Sequence, residues 1–220
     1  MQKNHKTKLV LFDLDGTLID TAPDFLISLN NVLSNHSREN VTMEKIRPHI
    51  SEGSSKLIKL FFEINEEHMN FEQYKNEFLN EYSSNLTKSS RLFDGMETII
   101  EYLNDNGIMF GVVTNKYHEY AEPIINSFPE LQTIKILVCP DHVSISKPDP
   151  EGILLACSKL KVSPKDAVYL GDHINDLKAG LAAGTDVIGC LYGYSLEEFD
   201  INNLKCKSVN SVSEITSNIN

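Results

Sequence analysis

Residues 9–20 read LVLFDLDGTLID. Four consecutive apolar residues, Leu9 to Phe12, are followed at once by two aspartates one residue apart, Asp13 and Asp15. A short unbroken apolar run reads as a strand covered on both faces, as in a parallel sheet. Carboxylates are almost never fully buried unless they are paired or bind a metal. A core strand ending in two of them therefore asks for a fold whose strand ends converge on a ligand.

Further apolar runs fit that demand. Ile108–Val113, Ile134–Val138, Ala167–Leu170 and Asp186–Ile188 are well separated, and helical patterns lie between them. DGMETIIEYLNDNG puts Met96, Ile99, Ile100 and Leu103 at helical spacing and stops at Gly107, and DPEGILLACSKL and NDLKAGLAAG follow. From residue 91 onward the alternation is strand, helix, strand, helix, which predicts a doubly wound domain.

Residues 20–90 break the rhythm. APDFLISLNNVLSNH, SSKLIKLFF and FEQYKNEFLNEYSSNL are helical in pattern, and no strand stands out. A crossover helix needs far fewer than ~70 residues, so this stretch reads as a helical insertion placed directly after the first strand. Its ends fall near Ile19–Thr21 and Lys88–Leu92.

The formal net charge of −11 argues against nucleic acid and anionic membranes as partners. It also means that any phosphate site needs its own local cation. No apolar run approaches the ~20 residues of a membrane helix, and the polar start MQKNHKTK does not read as a signal peptide. Cys139, Cys157, Cys190 and Cys206 are far apart, as expected of reduced thiols in a cytoplasmic protein.

In an open α/β sheet, ligands bind beyond the carboxyl ends of the strands. Asp13 and Asp15 follow the first strand. Thr114, Asn115 and Lys116 follow the second, a loop with Lys147 the third, and GDHIND with Asp172 and Asp176 the fourth. Singly these are a turn, a helix cap, a solvated loop and two acids in a first helical turn. In this order, after successive strands, they converge on one rim and fit phosphoryl transfer. The carboxylates of Asp13, Asp15 and Asp172 would repel one another, and Mg²⁺ relieves such a cluster while keeping room for water and a phosphate. Thr114 can donate to a phosphoryl oxygen, and Lys147 supplies positive charge. Asp13 can attack phosphorus, and Asp15 is placed to protonate the leaving oxygen and then to deprotonate water.

DLDGT (Asp13–Thr17), VVTN (to Thr114 and Asn115), Lys147 in SKPDP, and GDHIND with Asp172 and Asp176 together resemble the four motifs of the haloacid dehalogenase superfamily, in order and across essentially the whole chain. The resemblance implies Asp13 as nucleophile and Asp15 as acid/base. It implies Mg²⁺ held by the Asp13 side chain, the Asp15 main-chain carbonyl and Asp172, with Asp176 and Asn115 in support. The fold it implies is a Rossmann-like catalytic core, residues 1–19 and 91–220, with an all-helical cap at 20–90, as in the phosphoglycolate-phosphatase-like branch. DTAPDF, RLFDGM, GVVTNKYHEYAEPI and CPDHVSISKPDP narrow the implied substrate to a phosphosugar such as N-acetylmuramic acid 6-phosphate, with 2-phosphoglycolate as the alternative. Two positions depart from the pattern, His173 where relatives carry Asp and Glu52 where they carry Gly. Glu52 would bring an unhelpful acid toward an anionic substrate.

The expected partner is a small phosphomonoester, and the expected assembly a monomer or homodimer. Arg47, Ser51, Gly53, Ser54 and Lys56, with His49, are the candidate selectors in the cap. A phosphomutase or a non-catalytic phosphate-binding protein are the alternatives of other classes. A metal-free dehalogenase has no need of Asp15.

Overall fold

The structure is a computed structural model, and it describes residues 7–219. Strand β1 (Leu9–Phe12) is wholly buried and runs into β2 (Ile19–Asp20). Helices α1 (Ala22–Asn35), α2 (Met43–Ile46), α3 (Ser54–Phe62) and α4 (Phe71–Asn85) follow, and the chain returns through β3 (Arg91–Leu92). Then come α5 (Met96–Asp105), β4 (Met109–Val113), α6 (His118–Asn126), β5 (Leu137–Val138), α7 (Glu151–Leu160), β6 (Ala167–Gly171), α8 (Ile174–Ala183), β7 (Asp186–Cys190), α9 (Glu198–Leu204), β8 (Lys207–Val209) and α10 (Ile215–Asn218). Among the described residues, no helix is long and apolar enough to cross a membrane.

Six strands form one sheet in the order β5-β4-β1-β6-β7-β8, and every pair is parallel. The parallel doubly wound sheet expected from the continuous apolar runs is therefore present. Leu9, Leu11, Val113 and Tyr169 face one side, where Ile153, Ala156 and Cys157 of α7 and Ala179 and Ala183 of α8 cover them. Strand geometry sends alternate residues to the opposite face. There α5 buries Met96, Ile99, Ile100 and Leu103, and it packs near β4 and α10.

The order of strands also fixes where a ligand can sit. From β1 the chain moves to β4 and β5 on one side. It then returns to β6 on the other side and continues to β7 and β8. The direction reverses between β1 and β6, which opens a crevice at their carboxyl ends. Asp13 leaves β1 there, with its N–H donating to Leu170 O at 2.8 Å, and Asp172 leaves β6.

Two differences from the sequence pattern are local. Of Ile134–Val138 only Leu137 and Val138 form regular strand, after a 3₁₀ turn over Pro129–Thr133, although Lys135 N already donates to Phe110 O and Ile136 O accepts from Val112 N. The sequence does not announce β8, whose KSV is too short and polar to register.

The described chain divides into two compact units, one running to Ile19 and resuming at Leu92, the other Asp20–Arg91. The two crossings pair as a short two-stranded ribbon. In the helical unit Phe25 of α1 packs against Tyr82 of α4, with ring centroids 4.3 Å apart and the planes tilted by 39°. Its two chain ends are tied by one buried carboxylate. Asp24 accepts from Ser89 N at 2.8 Å, Ser90 N at 3.1 Å and the Ser90 hydroxyl at 2.5 Å.

Hydrogen bonds to a charged group are each worth about 1.5–3 kcal/mol. Asp24→Ala, which removes all three, is expected to lower the thermal midpoint by roughly 10 °C or more, and Asp24→Asn, which keeps one acceptor oxygen, by about half as much. Scanning calorimetry checks both, and an unchanged midpoint for Asp24→Ala would show that the tie carries no stability.

Candidate active site

The reversal between β1 and β6 gathers four charged side chains that are almost wholly buried: Asp13, Lys147, Asp172 and Asp176. Lys147 enters from the loop after β5. Its ammonium lies 2.8 Å from Asp13 Oδ1, 2.7 Å from Asp176 Oδ1, 2.9 Å from the Tyr169 hydroxyl and 3.0 Å from Val113 O. Burial alone would lower the lysine pKa, but the two carboxylates outweigh it and hold the group firmly protonated.

Asp172 is fixed from three directions. The Thr17 hydroxyl donates to Oδ1 at 2.9 Å, Tyr194 N donates to Oδ2 at 2.9 Å, and the Ser195 hydroxyl donates to its main-chain carbonyl at 3.0 Å. Two glycines make room for it. A Cβ at Gly16, whose φ is +87°, would lie 2.4 Å from Asp172 Oδ2, and one at Gly193 would lie 2.2 Å from Asp172 Cβ. Both positions exclude a side chain, and Gly16 also needs the positive φ.

Asp176 holds the first turn of α8. It accepts from His173 N at 3.0 Å through Oδ2, while the His173 ring accepts from Asn175 N at 3.1 Å. His173 is thus the N-cap of this helix, where a short acceptor is favoured.

Carboxylate oxygens of Asp13, Asp172 and Asp176 lie within 4.8 Å of one another. Burial, then the other two carboxylates, pushes Asp172 well above the ordinary range. Burial and Asp176 push Asp13 upward against the pull of Lys147. Three carboxylates against one ammonium leave negative charge uncompensated in a buried place. This all-oxygen donor set fits a hard divalent cation, and the cluster could hold one.

Asp15 lies apart from the cluster's lysine. Lys116 Nζ meets its two carboxylate oxygens at 3.0 and 3.1 Å. Thr114 stands at the end of β4, where its hydroxyl oxygen accepts from Lys116 N at 3.1 Å. Asn115 and Lys147 exchange two bonds, Asn115 Nδ2 to Lys147 O at 3.0 Å and Lys147 N to Asn115 Oδ1 at 3.1 Å. Asn115 therefore fixes the backbone from which Lys147 projects.

Asp13, Thr114, Lys147, Asp172 and Asp176 are brought together, with Asp15 and Asn115 beside them. Sequence reasoning placed Lys116 on this rim without giving it a role, and it missed Tyr169. A tyrosine inside an apolar strand is a readable signal, since its hydroxyl needs a partner when buried. It donates to Val113 O at 2.8 Å.

Arg47, Ser51, Gly53, Ser54 and Lys56 belong to the helical unit. Arg47 lies 3.7 Å from Asp20. The Ser51 hydroxyl oxygen is buried with no hydrogen-bond partner among the described residues. Gly53, with φ +85°, precedes Ser54, the first residue of α3. Glu52 is met by its own loop, at 2.8 Å from the His49 ring and 3.2 Å from Lys56. Against partial burial, those two partners hold its carboxyl below the usual range. The feared extra acid therefore comes neutralised, at the cost of engaging Lys56.

The family model for haloacid dehalogenase-like hydrolases matches residues 10–190. The N-acetylmuramic acid 6-phosphate phosphatase of Pseudomonas aeruginosa is 38% identical over 87% of this chain and 85% of its own. A phosphoglycolate phosphatase of Xanthomonas campestris is 35% identical over 88% of this chain and 87% of its own. The crystal structure of a predicted phosphoglycolate phosphatase from Haemophilus somnus superposes with a TM-score of 0.87 at 26% identity, covering 99% of this chain and all of that one. With the motif residues gathered at one crevice and these relatives alongside, the chain belongs to the haloacid dehalogenase-like hydrolases.

Proposed function

We propose that this phosphatase hydrolyses a small phosphomonoester through an aspartyl-phosphate on Asp13, its preferred substrate being a phosphosugar such as N-acetylmuramic acid 6-phosphate. The observation that carries the mechanism is the buried Asp13 carboxylate held at 2.8 Å by the Lys147 ammonium, at the crevice where the sheet reverses. The relatives matching over most of the chain support the phosphosugar, and the phosphoglycolate phosphatases among them keep 2-phosphoglycolate as the second reading.

In the first half-reaction an Asp13 oxygen attacks phosphorus, and the P–O bond to the alcohol breaks. Asp15 gives the departing oxygen its proton. The Thr114 hydroxyl and the Lys147 ammonium donate to the phosphoryl oxygens, whose charge this acidic chain would otherwise repel. In the second half-reaction Asp15 takes a proton from water, the water oxygen attacks phosphorus, and the bond to Asp13 breaks. Inorganic phosphate leaves, Asp13 is again a carboxylate, and Asp15 is again the carboxylic acid with which the cycle began.

Mg²⁺ would be held by Asp13, Asp172 and the Asp15 main-chain carbonyl, where it supplies charge neutralisation and a Lewis acid for the phosphoryl oxygens. Asp176 has both oxygens engaged by N–H and ammonium donors, so its part is to position Lys147. The helical unit is the cap that selects substrate in this reading, with Arg47, Ser51, Gly53 and Ser54 as readers.

A phosphate-release screen over N-acetylmuramic acid 6-phosphate, 2-phosphoglycolate, hexose phosphates and nucleoside monophosphates tests the substrate. Asp13→Asn should abolish release with the fold retained, and substantial residual turnover would rule out the covalent route. Asp15→Asn should lose roughly a hundredfold on alkyl phosphates but much less on aryl phosphates, whose leaving groups need no proton. Equal losses on the two would count against the acid role.

A stability measurement tests the metal independently. A ligand at a hundredfold excess over its Kd adds about 2.7 kcal/mol, so saturating Mg²⁺ should raise the thermal midpoint by roughly 5–10 °C, and chelation should reverse it. Asp172→Asn should erase that rise while leaving the chelated protein at least as stable as wild type, because it removes one repelling charge. A full Mg²⁺ response in Asp172→Asn would remove Asp172 from the ligand set.

A further inference from the structure

Asp13 and Asp15 sit two residues apart, yet each has a different lysine. Lys147 reaches Asp13 from the loop after β5, and Lys116 reaches Asp15 from the end of β4. The Lys116 side chain is 6% exposed and the Asp15 side chain 14%, so this is not a solvated surface pair. Its ammonium bridges both carboxylate oxygens, which holds the plane of the carboxylate as well as its position. The register supports it, for Phe12 pairs with Val112 in neighbouring parallel strands, and residues 15 and 116 follow onto the same rim. The Lys116 main-chain N–H also donates to Thr114 Oγ1. One residue thus links Thr114, from the second motif, to Asp15, from the first.

Burying an ion pair is worthwhile mainly where it sets geometry, since an apolar replacement often matches it in stability. We propose that Lys116 is a positioning residue for proton transfer, holding the Asp15 carboxylate in the orientation from which it serves the leaving oxygen and then the attacking water. This rests on the phosphatase reading above. Lys116 acts through Asp15 and makes no bond to the reacting atoms. Its removal should therefore slow the steps that need Asp15 and spare those that do not.

The experiment compares full-length wild type, Lys116→Met, Lys116→Arg, Asp15→Asn and the Lys116→Met/Asp15→Asn double variant. The probes are p-nitrophenyl phosphate and the best alkyl phosphomonoester from the screen. Lys116→Met is expected to lower kcat for the alkyl ester by roughly tenfold or more, with KM little changed and a clearly smaller loss on the aryl ester. Lys116→Arg, which keeps a cation that can bridge both oxygens, should recover most of that loss. The double variant should be no slower than Asp15→Asn alone, because Lys116 has nothing left to position.

Additive losses in the double variant would overturn the proposal. So would equal losses on the two esters, since that is what damaged folding produces. A raised KM with kcat intact would make Lys116 a substrate contact instead, and would overturn it as well. If wild type turns over its substrate and Lys116→Met matches it, this inference alone fails. If wild type releases phosphate from no probe, the phosphatase reading fails, and the inference falls with it.

Discussion

The contact on which the site depends is the buried ammonium of Lys147. It is surrounded by oxygens from Asp13 beyond β1, Val113 in β4, Tyr169 in β6 and Asp176 in α8. An ammonium has three protons, so four acceptors share them. Breaking a buried pair by removing one partner costs about 3–5 kcal/mol, because the other charge is stranded. Here three carboxylates would be stranded together. The lysine thus makes it possible for acids to be buried at the sheet's crevice at all, and it ties four separate elements into one rim.

That arrangement follows from strand order. A chain that starts in the middle of its sheet and fills one side before the other must reverse direction beside its first strand. The first strand is therefore where a nucleophile can be reached by groups from both halves. Thr114 and Lys116 come from one neighbour, Asp172 and Asp176 from the other. The acids open no breach in the core, because each leaves its strand only after the apolar run ends.

The sheet was legible because its strands are buried on both faces and so read as unbroken apolar runs. What escaped were elements whose stability is tertiary. Helix α6 contains Pro123, which spoils a helical reading, yet Ala121, Ile124 and Ile125 are buried and hold it. Strand β8 is stabilised by pairing with β7 rather than by its own composition. In the site, residue types with one obvious use were readable: aspartates at strand ends and a lysine in an acidic chain. Gly193 and the pairing of Lys116 with Asp15 were not, because their importance lies in what approaches them. Gly193 matters only since Asp172 comes so close, and Lys116 only since Asp15 lies across from it. Pairings across more than a hundred residues are set by the fold.

The helical unit obeys a different logic. Asp24 closes it by binding the amides of Ser89 and Ser90, so its two ends meet where they leave and rejoin the sheet. An insertion whose ends are tied to each other imposes little on the strand that precedes it. Its loop can therefore change without disturbing the carboxylates beyond β1. Glu52 illustrates this freedom. Its carboxylate is answered within a few residues by His49 and Lys56, both in the same unit. In the function proposed above, chemistry and selection are thus carried by parts of the chain with separate electrostatic balances, and a change at Glu52 is expected to act on the second while leaving the first alone.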